Sequence, residues 1–401
     1  MRWGAALRLL WHSNAPWAAT GYGVQTRVFT PRIRDLGHEV AISAFYGLEG
    51  ASIQWQGMTV YPRAFHPYGM DVIASHAKDC KADAVITLVD AWVMDPDRIT
   101  ASGARWCPWF PVDHDPIPGP VIDKVRHAFQ PIVYAKHAEA AADDAALGVA
   151  YVPHGVETDL YRPRDRAEAR ARLGLPDDAF VVGLVAANKG KPSRKALPTQ
   201  IEAFARFQRK HPEAILYLHT HLMPDMDGLD IPEVFTAMGV PDSAVRVCDQ
   251  YRNIMGYSDE VMANLYSAMD VLASATMGEG FGVPIIEAQA CGTPVIVGGW
   301  TAMPELCGSG IVITPDQAER VLTPMGAFQY LPHVDAVYEA LEQAYEMRGD
   351  ERVRDEARTF AMRYDADEVT RTYWKPVLED IAERIAGESG ADAPPVEVLA
   401  A

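Results

Sequence analysis

The chain has 401 residues, of which 49% are hydrophobic and 22% charged, so it can bury a large core in two or more domains and is neither a disordered chain nor a small disulfide-stapled scaffold. Its 36 basic residues against 54 acidic ones give a formal charge of -18, which disfavours non-specific attraction to nucleic acid or to an anionic membrane surface. Residues 1–165 hold 15 basic and 18 acidic side chains and the remainder 21 and 36, which places the acidity in the second part and leaves the first near neutral.

The first apolar run, LRLLW at 7–11, predicts a strand. The opening MRWGAALRLLWHSNAP has a superficial likeness to a signal peptide, but Arg8 interrupts its apolar run and no small-residue cleavage site follows cleanly. A helix over 24–36 and strands in HEVAISAF, DAVITLV, RWCPWF and PIVYA set up a βαβ rhythm. A proline-rich, charged connector, PHGVETDLYRPRDRAEARARLGLPDD, separates it from a second series. That series has a strand at 180–187, a helix at 198–210, and strands in AILYLHT, AVRVCD, DVLASA, TPVIVGG and GIVIT. Two parallel sheets, each wrapped by helices, follow from the alternation. Beyond 331 the pattern turns helical, with a charged segment at 334–363 and an amphipathic one at 367–386, and GESGADAPPVEVLAA reads as a disordered tail. No apolar stretch nears the roughly 18 residues of a spanning helix, so stable membrane insertion is not expected. Cys80, Cys107, Cys248, Cys291 and Cys307 are scattered without a CxxC pair, an odd set that is neither a disulfide framework nor a zinc site and suits a reducing, cytoplasmic location.

The segment MGEGFGVPIIEAQACGTPVIVGG, 277–299, carries the most chemistry. It follows an expected strand, and Pro284 suits the first turn of a helix because its missing N–H would be unpaired there. Glu287 sits one turn inside, and Gly292 with Pro294 closes the helix before the next strand. Free backbone N–H groups and the positive end of the helix dipole make such a turn an anion site, and Gly280 and Gly282 let a ligand approach the backbone closely. Two carboxylates fixed on either side of the loop, Glu279 and Glu287, argue for a site rather than a plain turn with solvated acids. Upstream, ANKGKPSRKALPTQIEAF gathers Lys189, Lys191, Arg194 and Lys195 ahead of a helix. In an acidic chain that cluster is conspicuous, and its charge and directional hydrogen bonds suit a diphosphate. In the first part, Gly21 and Gly23 of GYG follow the first strand, where their backbone can approach phosphates or an acceptor across a cleft.

These segments resemble the family-4 retaining glycosyltransferases, whose glutamate, seven residues, glutamate signature is similar to Glu279 through Glu287. The resemblance covers most of the chain. It implies an α/β fold of the GT-B type: two doubly wound Rossmann-like domains facing each other across a cleft, with a C-terminal helix crossing back to the first. On that plan 1–165 is the acceptor-side domain, 166–363 the nucleotide-sugar-binding domain, 364–386 the crossing helix and 387–401 the tail. The resemblance further implies that Glu279 contacts the donor sugar and Glu287 the nucleotide ribose. The N–H groups of Phe281, Gly282 and Val283 would face the sugar and diphosphate, and residues 248–257 would lie at the base. Aligning on IEAF places Lys195 on the family lysine; Arg194 and Lys189 compete for the family arginine, with Asn188 beside them on the donor side. Ala196 stands where the family has glycine. YVPHGVETDLYRP is similar to the opening of the family linker, with Glu157 near its usual aspartate, so no contact is inferred from it.

WFPVDHDPIPGP contains Asp113-His114-Asp115, which mimics the aspartate-x-aspartate metal motif of the other major glycosyltransferase fold. The GT-B resemblance instead places it after a strand of the acceptor domain, where family members often present a histidine to the donor sugar. His114 is then a catalytic candidate beside Glu279, Arg194 and Lys195, with Asp113 on the acceptor side; a turn-forming Asp-His-Asp-Pro is the plainer alternative. No metal ligand and no cofactor beyond the donor substrate are expected. Trp17 and Trp109 stand at expected strand ends facing the cleft, where a ring can stack on a sugar or a base. The implied activity is metal-independent, retaining transfer of a hexose-like unit from a UDP- or GDP-sugar to a hydroxyl on a glycan, lipid, small molecule, protein or modified nucleic-acid base. A GT-B sugar-nucleotide epimerase or phosphorylase, or a non-catalytic nucleotide-sugar-binding module, is the alternative.

Overall fold

The computed structural model describes residues 6–224 and 227–391. Strands β1 (Arg8–Asn14), β2 (Glu39–Tyr46), β3 (Ile53–Trp55), β4 (Met58–Tyr61), β5 (Ala84–Leu88), β6 (Arg105–Phe110), β7 (Ile132–Val133) and β8 (Ala150–Tyr151) form one sheet. Its order is β3-β4-β2-β1-β5-β6-β7-β8, parallel apart from the β3–β4 hairpin. Leu9 and Trp11 feed the apolar cluster on one face and Leu10 the cluster on the other. That period of two, with both faces covered, is why the central strands read as unbroken apolar runs. A second sheet holds β9 (Phe180–Val185), β10 (Ala214–His219), β11 (Val245–Val247), β12 (Val271–Ser274), β13 (Val295–Gly298) and β14 (Gly310–Ile313). It is parallel throughout, in the order β11-β10-β9-β12-β13-β14. The expected pair of doubly wound sheets is present.

Among the parallel strands of each sheet the order reverses once, between β1 and β5 and between β9 and β12. Loops leaving such neighbours turn to opposite faces and open a crevice at the carboxyl edge, where ligands of doubly wound sheets bind. The loops concerned are those after β1, β5, β9 and β12.

After the helix Glu351–Ala361 the chain returns to the first domain, where Val156 and Asp365 form a parallel bridge. Trp374 closes a wide turn at Thr370–Trp374 and is fully buried, its ring 5.6 Å from Trp11, 5.9 Å from Phe29 and 4.9 Å from Trp109 between centroids. Leu378 and Ile381 continue the buried stripe at helical spacing.

Three segments depart from the sequence reading. The charged connector contains a helix, Arg166–Leu173, capped by the Asp165 side chain on Glu168 N and closed by Gly174 in the left-handed region; both are ordinary stop and start signals. The final helix, Lys375–Ala391, runs five residues past Ala386 into the expected tail, because no proline intervenes and Arg105 pairs with Glu388 at 2.6 Å; 392–401 lie outside the described residues. An antiparallel hairpin, β15 (Ala318–Leu322) and β16 (Phe328–Pro332), follows the second sheet. All five cysteines are free thiols, and among the described residues no helix is long and apolar enough to cross a membrane.

Candidate active site

Past β12 the chain turns through 275–282 into the helix Val283–Ala290. Gly282 stands at its N-cap with φ 112°, so no side chain caps the first turn; only glycine takes that conformation cheaply. Glu279 is buried on this loop and its N–H donates to Thr301 Oγ1 at 3.0 Å. From the loop after β9, Lys195 Nζ reaches Glu279 Oε1 at 2.6 Å and Arg194 Nη1 stands 3.5 Å from Glu279 Oε2. Arg194 also donates to Gly278 O, and Met277 N donates to Arg194 O at 2.8 Å, so the two loops are laced together. Burial pushes the Glu279 carboxyl up, but the Lys195 ammonium and Arg194 guanidinium outweigh it and hold it below its ordinary value. Lys195 is pushed down by burial, against the pull of Glu279.

Across the cleft, the loop after β6 places Asp113 Oδ2 3.5 Å from the same Arg194 Nη1, and Asp113 Oδ1 2.7 Å from His114 Nδ1. Arg194 therefore bridges carboxylates from the two domains. Burial works to raise Asp113, and the hydrogen bond from His114 with the charge of Arg194 brings it down. Three neighbours were not singled out from sequence. Asp90, just after β5, is raised by burial and by Asp113, with Arg194 and Lys189 opposing; Tyr22 and Tyr134 are raised chiefly by burial. A signal for Asp90 was available: an acid directly after the apolar run AVITLV sits at the carboxyl edge of a parallel strand. The domains are in close contact here. A Cβ on Gly278 would lie 2.3 Å from Asp113 O, and one on Gly280 2.5 Å from Pro111 Cβ.

Glu287 lies deeper, on the helix itself, and accepts from Tyr266 Oη at 2.8 Å. Burial lifts its carboxyl to about 7, with Asp259 adding and the Tyr266 and Tyr161 hydroxyls opposing. Asp259 is in turn gripped by Arg27 of the first domain at 2.7 and 2.8 Å.

The structure thus brings together Glu279, Arg194, Lys195, Asp113 and His114. Phe281 follows Glu279 on this loop, and its ring packs on His154, with centroids 5.1 Å apart. Gly21 has open space around it; Gly23 is required by the turn, since a Cβ there would lie 2.3 Å from Ala18 O. Lys189 is exposed, and it is Arg194 that reaches Glu279. Two residues differ from expectation. Asn188 is spent inside its own domain: Nδ2 donates to Leu229 O at 2.6 Å and Oδ1 accepts from Leu229 N at 2.8 Å, so it shapes a loop rather than facing the cleft. Trp109 is fully buried, donates to Val152 O at 2.8 Å and belongs to the core beneath the crossing helix. Trp17 remains at the surface, its ring fixed by a 2.7 Å bond to Gly47 O. Asp113 and Asp115 diverge to different partners, the latter to Tyr330 Oη at 3.2 Å. Among the described residues no group of three or more His, Cys, Asp or Glu is placed to hold a metal ion.

Residues 180–325 match the family described as "Glycosyl transferases group 1". The D-inositol 3-phosphate glycosyltransferase of Stackebrandtia nassauensis is 33% identical over 170 residues, 41% of this chain and 37% of that protein. Its namesake in Mycobacterium bovis is 30% identical over 256 residues, 61% of this chain and 46% of that protein. The match spans less than half the length of either relative. A glycosyltransferase from Rickettsia africae superposes with a TM-score of 0.69 at 14% identity, covering 95% of this chain and 99% of that one. Anabaena HepE, solved with UDP and glucose, superposes with a TM-score of 0.67 at 17% identity, covering 96% and 100%. The similarity to that family thus lies in the second domain, and the chain as a whole has the GT-B fold.

Proposed function

We propose that the protein is a metal-independent, retaining, cytoplasmic glycosyltransferase that moves a sugar from a UDP- or GDP-sugar to an acceptor hydroxyl. One observation carries the reading: Glu279, Lys195 and Arg194, from the two loops at the reversal point of the second sheet, converge on Asp113 and His114 from the loop after β6 of the first. Lys195, Arg194 and the uncapped first turn at Gly282 supply the positive charge and N–H donors that a departing diphosphate needs. Asp113 and Asp115, turned to Arg194, His114 and Tyr330, favour a site in which protein cations do that work. Glu279, held ionised by its two cations, accepts from donor sugar hydroxyls; Glu287 with Tyr266 meets the ribose. In the transfer step the bond from the anomeric carbon to the diphosphate oxygen breaks as the acceptor oxygen bonds to that carbon on the same face. The departing phosphate oxygen takes the acceptor proton.

The test is a panel of UDP-, GDP- and ADP-sugars scored by released nucleoside diphosphate, with the anomeric configuration of the product read by NMR. Release from at least one donor that survives EDTA is expected. A protein that neither binds nor turns over any of them is not a transferase, and loss in EDTA restored by manganese would make Asp113 and Asp115 metal ligands.

A further inference from the structure

The hairpin β15–β16 and Glu305 belong to the second domain but direct their polar groups to the first. Phe328 and Asp115 exchange both backbone hydrogen bonds, at 2.9 and 3.0 Å, as paired strand residues do. Gln329, buried, donates from Nε2 to Asp113 O at 3.2 Å, and Tyr330 Oη donates to Asp115 Oδ2 at 3.2 Å. The same Tyr330 gives its N–H to Met277 O at 2.9 Å, on the loop that carries Glu279, while its ring stacks on Trp300 with centroids 5.6 Å apart. At the hairpin turn, Met325 packs against the first-domain cluster of Phe110, Val112 and Ile117. Glu305 makes a second hold. Its Oε1 and Oε2 accept the N–H groups of Lys136 and His137 at 2.9 and 3.1 Å, first-turn donors of the helix Lys136–Asp144, which has no side-chain cap of its own. His137 Nε2 then lies 3.0 Å from His114 O.

We propose that Phe328, Gln329 and Tyr330, with Glu305, act as a positioning strap: residues of the donor domain set the Asp113–His114 loop of the acceptor domain against Glu279. The loop's backbone pairs with the hairpin and not with a strand of its own sheet. Undocking the domains therefore returns Asp115 N and Asp113 O to water and loosens His114 at the same moment. The strap couples domain docking to assembly of the site. Its kinetic consequence rests on the transferase reading, and its structural consequence does not.

Two variants test it, Gln329→Ala and the milder Tyr330→Phe, which deletes one hydroxyl. Hydrogen exchange read by mass spectrometry on the peptide covering 111–118 should quicken about tenfold in Gln329→Ala, since local opening exposes the Asp115 amide. Affinity for UDP and GDP, titrated by calorimetry, should stay within about twofold of wild type. Nucleoside diphosphate release at saturating donor should fall about tenfold or more with donor KM unchanged, because misplacement of about 1 Å costs on the order of a hundredfold. Tyr330→Phe should show the same pattern at smaller amplitude. Unchanged exchange on 111–118 overturns the strap, as does nucleotide affinity that falls in step with turnover. If wild-type protein releases nothing from any donor, the transferase reading fails and the exchange result alone decides the strap.

Discussion

At Glu287 burial and hydroxyl partners pull in opposite directions, and burial wins: the carboxyl moves from 4.5 to about 7. Because the folded value lies above the unfolded one, the native state keeps a proton that the unfolded chain releases. The associated stability is present below about pH 4.5 and is lost as pH rises through about 7. Glu287→Gln removes the titration, so its stability relative to wild type should grow between pH 5 and pH 8, by about 3 kcal/mol at most. Urea unfolding at the two pH values measures this, and a difference that does not change with pH rejects the assignment. Glu279 is the opposite case, with two cations holding its carboxylate charged. On the roles proposed above, a Glu279 contact to the donor sugar that strengthens in the transition state and a Glu287 contact to the ribose, Glu279→Gln should cut turnover more than it raises donor KM, whereas Glu287→Ala should chiefly raise donor KM. Lys195→Ala should cost at least about 2 kcal/mol in transition-state stabilisation, as loss of one preorganised oxyanion donor does. Wild-type kinetics in all three variants would leave the cluster without a catalytic part.

The loop 275–282 is the element on which both domains meet, and two of its glycines, Gly278 and Gly280, are there for the neighbour across the cleft. A Cβ on Gly280 would lie 2.5 Å from Pro111 Cβ and 3.3 Å from Tyr134 Cε2, both in the first domain. Gly280→Ala should therefore leave nucleotide affinity within about twofold and lower turnover about tenfold or more, because docking of the domains is what it obstructs. Calorimetry with UDP and GDP beside release assays separates the two effects; equal losses would place the damage in the fold of the second domain. This loop and the cation loop were legible in the sequence because a strand, a glycine turn and a capless helix start are local signals. The hairpin at 318–332 was not, since AERVLTPMGAFQYLP has little apolar periodicity and its partner, Asp115, is far away in sequence. Trp109 was misplaced for a related reason. A strand's sequence shows that side chains alternate but not which face a later helix will cover, and here the cover is Trp374. Asn188 fell next to true cleft residues, yet its amide is claimed by the backbone of Leu229.

The molecule is held closed by contacts that cross between domains at several points. Arg27 bonds Asp259 near Glu287, Arg194 lies between Glu279 and Asp113, and the chain itself returns so that its last helix rests on the first sheet. The returning helix differs from the other two links in meeting the first domain through an apolar stripe, so its contribution should be the largest. Trp374 is enclosed by Trp11, Phe29 and Trp109, and Leu378 and Ile381 are buried beyond it. Trp374→Ala should cost about 3–5 kcal/mol, the range for a buried large aromatic. Truncation after Arg363 removes the whole stripe and uncovers Trp11 and Trp109, so that protein should aggregate and release no nucleoside diphosphate. Among the described residues, truncation after Gly387 removes only the last helical turn and the Arg105–Glu388 pair, whose side chains are 44% and 49% exposed. A pair so placed is worth no more than about 1 kcal/mol, so stability and turnover should stay near wild type. Light scattering and release assays on the two truncations decide the matter: if the shorter chain stays monomeric and fully active, the polar links alone suffice to dock the domains.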